Sequence, residues 1–200
     1  MTTYVGFRWE IGKQATASGK GDLCGRGWLH CYSDPLLAVL LTNHADMENP
    51  RLFRAEAGGK SKHDRGLQSG YTRMALIEEI PVPDVTTEQR VRFAILCSLK
   101  VYHDPAYVSW AEGWLSGKDR SDDAAWIAAT TAGGGWIVGA VSAAWAARAA
   151  ARVPAASWAA ETAETAACAA LRAVVDAASV ADLDLVAIAR EACPGRSGSM

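Results

Sequence analysis

Residues 24–41 read CGRGWLHCYSDPLLAVLL, a glycine turn, an aromatic and apolar run carrying His30, a Ser-Asp-Pro stop and then an apolar helix start. Gly25 and Gly27 permit backbone angles that other residues resist. Asp34 is placed to cap orphan amides, and Pro35 suits a first helical turn, where its missing N–H has no partner to lose. The pattern predicts a strand, a turn and a helix over about residues 35–42. Leu36, Leu37, Val39, Leu40 and Leu41 nearly encircle that helix, so it should be buried on most sides.

Upstream, residues 2–9 are rich in β-branched and aromatic types and read as a first strand. Gly12, Gly19 and Gly21 among small polar residues make 11–22 a loop. Downstream of a polar turn, residues 51–57 read as a strand stopped by Gly58-Gly59, residues 60–70 as a charged loop, and residues 71–80 as a second extended run. Pro81 and Pro83 block its continuation. Residues 1–84 are therefore expected to form a small mixed α/β domain of three or four strands and one helix.

Helical signals follow. Thr86 with Gln89 matches a capping box, with Val91, Ile95, Leu96 and Leu99 on one face. Asp104-Pro105 opens a second helix that Gly117 closes, and Ser121 to Asp123 opens a third. From residue 124 onward alanine dominates, interrupted by Trp126, Trp136, Trp145 and Trp158. Alanine has the best helix propensity but buries little area, so the tryptophans are expected as core anchors. Gly133 to Gly135 and Val153-Pro154 are natural breaks, and Asp182 to Asp184 caps a last helix. The expected class is α+β: a small N-terminal unit over residues 1–84, an alanine- and tryptophan-rich helical bundle over 85–193, and a flexible tail over 194–200.

The formal net charge of −2 supplies no global positive field that would draw the chain onto nucleic acid or an anionic membrane. The five cysteines are odd in number and irregularly spaced. No apolar run resembling a signal peptide precedes them, so reduced thiols in a cytoplasmic protein are expected. Charged residues and Pro154 interrupt the alanine-rich half, which argues against a membrane span.

Three constellations invite a chemical reading. Cys24, His30 and Cys31 superficially suggest zinc, but no knuckle pair exists and adjacent strand residues point to opposite faces, so no metal is expected. His30, His44, His63 and His103 offer bases and Cys31 a nucleophile, without any local hydrolase signature. The stretch 110–121 places Trp110, Glu112, Trp114, Lys118, Asp119 and Arg120 together. It reads either as a binding surface, since tryptophan and arginine dominate hot spots, or as a helical core bounded by a solvated turn.

Residues 3–7, 24–32 and 34–40 resemble an uncharacterised domain family of phage and bacterial proteins. That family carries a Tyr-Lys-Gly-Phe opening and a Gly-Phe-His-Ala-Cys or Gly-Leu-His-Ala-Tyr segment followed by Pro-Leu. The chain differs in one extra residue between Gly27 and His30. The second half, from 110–121 into the alanine-rich helices, resembles immunity proteins found beside polymorphic toxins. Together these likenesses imply a phage- or prophage-type accessory protein, immunity- or anti-defence-like, that binds another protein and needs no cofactor. A more distant architectural likeness to NAD-dependent ADP-ribosyltransferases implies an alternative enzyme. On that likeness Arg8, His30 or Tyr32, and Glu78 or Glu79 would hold NAD and steady a ribose oxocarbenium.

Overall fold

In a computed structural model of the chain, residues 8–42, 49–133, 139–153 and 160–194 are described, with side chains from 164 in the last segment. The strands are β1 (Gln14–Thr16), β2 (Leu29–Cys31), β3 (Leu52–Asp64) and β4 (Gln68–Ile80). The helices are α1 (Pro35–Leu40), α2 (Thr87–Ser98), α3 (Pro105–Ser116), α4 (Asp122–Gly133), α5 (Ala140–Ala150), α6 (Ala160–Val180) and α7 (Leu185–Ala192). The class is α+β, with the antiparallel sheet and α1 in the first 80 residues and the other helices after it.

β4 is the centre of the sheet. β3 pairs along one edge of it, while β1 (opposite 73–75) and β2 (opposite 69–71) lie end to end on the other. β3 and β4 form one long hairpin, which corrects the expected loop over 60–70 and the expected stop at Gly58-Gly59. The pair of glycines holds a bulge instead: the register shifts between Gly58 and Ser61. Gly59 has φ +82, and a Cβ there would sit 2.2 Å from Thr72 Oγ1. That hydroxyl accepts the Lys60 N–H at 2.9 Å, so only glycine fits. The true turn is tighter. Arg65 and Gly66 both have positive φ, and Leu67 N–H donates to the Asp64 carbonyl at 2.7 Å, as in a type I′ turn.

A second correction concerns the loop expected over residues 11–22. Of residues 2–9 only Arg8 and Trp9 lie within the described residues, and the first described strand falls at 14–16, inside the stretch read as loop. Its glycines flank it: Gly12 N–H donates to Leu76 O at 2.8 Å and Ala17 N–H to Thr72 O at 2.9 Å.

α1 forms as the capping signals dictate. Asp34 Oδ1 accepts the Leu36 N–H at 2.8 Å, and residues 36–40 are all buried. Leu36, Leu37, Leu40 and Leu41 pack into the same apolar cluster as the helices after residue 86. Arg90 of α2 reaches over the end of α1, its Nη1 donating to the carbonyls of Val39 (2.8 Å) and Leu40 (3.3 Å). The hairpin tip also meets the helices, with Arg65 Nη1 donating to Ala178 O at 3.4 Å and to Ser179 O. Residues 81–86 link sheet to α2 without regular structure.

Within the helical part, α5 buries eight of its residues, seven of them alanine. Ser142 Oγ, fully buried, donates to Ala173 O of α6 at 2.8 Å and pins the two helices together. The large buried side chains are Trp114, Phe93, Leu37, Ile95 and Leu185. Trp126 is not among them: it is 56% exposed, because Ala125, Ala128, Ala129 and Ala132 take the inward face of α4. Trp110 and Trp145 are half-buried. Trp136, Trp158, His44 and residues 195–200 of the expected tail lie outside the described residues. No helix among the described residues is long and apolar enough to cross a membrane.

Candidate binding groove

α3 is fixed at both ends by side chains the sequence announces. Asp104 Oδ1 accepts the N–H groups of Ala106 (3.0 Å) and Tyr107 (3.1 Å), and Pro105 occupies the first turn. Gly117, at φ 78, ends the helix in the left-handed conformation. The chain then folds back, Lys118 N–H (2.9 Å) and Asp119 N–H (3.2 Å) both donating to Gly113 O. Asp119 Oδ1 accepts from Ser121 through its N–H (3.0 Å) and hydroxyl (2.7 Å). These hydrogen bonds hold the Asp119 carboxyl below its usual range.

The result is an open groove of about 1050 Å³ between α3 and α4. Trp110, Glu112, Lys118 and Asp119 line it, opposite Ile127 of α4. Tyr107 forms its floor, its ring centroid 5.3 Å from both Tyr102, met edge-on, and Trp110, met at a tilt. Its hydroxyl lies 2.6 Å from Ser98 Oγ, and burial pushes the phenol pKa up. Ile127 is 64% exposed, beside the exposed Trp126.

Two of the six residues read together in 110–121 are elsewhere. Trp114 is fully buried, with the Arg120 guanidinium 4.9 Å above its ring. Arg120 also pairs with Glu88 of α2 at 2.7 Å, so it ties the end of α3 to α2. Ile127 was the residue missed. An isoleucine among alanines carries no sequence mark of which helix face turns outward.

The NAD candidates are dispersed. His30 sits opposite Gly70, eight residues before Glu78 on β4, which at ~3.3 Å per strand residue is roughly 26 Å. Its Nε2 meets the Leu23 carbonyl. Tyr32 packs against the helical core and accepts from Thr42 at 3.4 Å. Glu78 and Glu79 are paired with Arg54 (2.8 Å) and Arg51 (2.5 Å), and Arg8 is exposed. Cross-strand pairing does align Cys31, Ser69 and His63 on one face, with His63 Nδ1 2.9 Å from Ser69 Oγ. Burial raises the Cys31 pKa, which opposes thiolate formation. Among the described residues no three His, Cys, Asp or Glu side chains gather as metal ligands. Compared with protein-family models, with curated proteins and with solved structures, the chain matches none.

Proposed function

We propose that this chain acts by binding another protein in the α3–α4 groove, as an accessory protein of the immunity- or anti-defence-like kind. The observation that carries the reading is Ile127 of α4, 64% exposed, on the wall of a groove whose other side is Trp110. An apolar concavity rimmed by polar residues is the form that a protein-binding site takes. The rim is polar: Glu112, Lys118 and Asp119 offer both charges around an apolar centre, the usual anatomy of a protein interface. The resemblance of 110–121 and the following helices to immunity proteins points the same way. The NAD-dependent reading has no comparable observation, since its candidates are spread along the sheet.

A photo-crosslinking residue placed at position 127, in the full chain expressed in its native host, tests this directly. One discrete crosslinked species is expected there and none with the same residue at Lys20, on the far loop. Identical products at both positions, or none at 127, would refute the groove as the binding site.

A further inference from the structure

A second surface lies on α5 and α6. Trp145 of α5 is flanked by two guanidiniums, Arg148 from the next turn of its own helix and Arg172 from α6, each 5.2 Å from the ring centroid. Neither arginine forms an ion pair among the described residues, and the carboxylate that feels Arg172 is Asp176, one turn along α6. One guanidinium suffices to cover an indole. Two bring like charges to a single ring, and cation–ring contacts at an exposed site are too weak to require both.

The flanks are apolar. Val141, one turn before Trp145, is 55% exposed, and Val175, one turn after Arg172, is 41% exposed. Residues 141, 145 and 148 form one stripe of α5, and 172 and 175 one stripe of α6. The Ser142–Ala173 hydrogen bond sets these two stripes side by side.

We infer that this α5–α6 face is a second docking surface, and that its occupant is an acidic protein segment carrying carboxylates and apolar side chains on one face. The guanidinium forks take carboxylates in paired hydrogen bonds and relieve their mutual repulsion. Trp145 and the two valines receive the apolar side chains. An aromatic flanked by arginines is also the composition in which interface energy concentrates. A nucleic acid fits less well: the chain carries a net charge of −2, and valines offer nothing to a phosphate backbone.

The test uses the full chain and a fluorescein-labelled amphipathic peptide built from Glu and Leu in helical spacing. Its Lys/Leu counterpart and a labelled duplex DNA serve as controls, all followed by anisotropy. The Glu/Leu peptide should bind at least about tenfold more tightly than the Lys/Leu peptide and the duplex, and should weaken as salt rises. Replacing Arg148→Glu and Arg172→Glu together should lose that binding and favour the Lys/Leu peptide. Should the reversed pair fail to fold, Arg148→Gln with Arg172→Gln removes the charge alone and must show the same loss. The groove variant Ile127→Asp should bind the Glu/Leu peptide as the parent does, which separates this face from the α3–α4 site. Absence of Glu/Leu binding, equal binding of both peptides, preference for DNA, or indifference to loss of both arginines would each overturn the inference.

Discussion

Trp114 of α3 and Trp126 of α4 sit in opposite environments. Trp114 is fully buried beneath Arg120, so Trp114→Ala should cost about 3–5 kcal/mol in denaturant unfolding, as large-to-small core changes do. A loss below about 1 kcal/mol would show that the ring is not an anchor. Cys97 and Tyr107 make a second residue-scale prediction. Burial raises both pKa values, so the folded chain keeps protons that the unfolded chain has already released. The unfolded state then binds fewer protons, and stability must fall as pH rises. The Cys97 contribution is complete below about pH 8.5 and is lost above it at about 1.4 kcal/mol per pH unit, with Tyr107 adding to the loss above about pH 10. Melting temperatures taken across this alkaline range should fall less steeply in Cys97→Ala than in the parent. Parallel curves would contradict the assignment.

Helix ends were legible because their causes are local. Asp34, the Thr86–Gln89 box, Asp104 and Asp184 each cap the helix that the sequence places after them. The sheet was less legible, because the meaning of a glycine depends on the strand beside it. Gly58-Gly59 reads as punctuation, yet Gly59 is the one residue that clears Thr72 across the hairpin. Gly59→Val should therefore destabilise by more than about 1 kcal/mol, from strained φ and the blocked hydroxyl together. An unchanged denaturation midpoint would mean the bulge relaxes freely. α1 depends equally on a distant residue. Arg90→Ala removes the guanidinium that the Val39 and Leu40 carbonyls share and should cost about 1–3 kcal/mol, with Arg90→Lys recovering part of it. Equal melting of all three proteins would refute the cap.

At the scale of the whole molecule, the apolar cluster gathers α1 and the later helices, while Ala15, Trp28, Met74 and Leu76 of the sheet region are buried outside it. The stretch 110–121 revealed four lining residues of the groove, since they are contiguous in sequence. It could not reveal that Trp114 turns inward, nor that Ile127 comes from the next helix to close the groove, because both follow from how α3 crosses α4. On the proposed function, stability and binding fall to different residues: Trp114 to the fold, Ile127 to the partner. The most direct measurement compares Ile127→Asp with the parent for unfolding free energy and for crosslinking from a photo-reactive residue at Thr131, which lines the same groove. The account predicts a stability change within about 0.5 kcal/mol and loss of the crosslinked partner. An Ile127→Asp protein that still captures the same partner at full yield, or that loses binding only because it has unfolded, would contradict it.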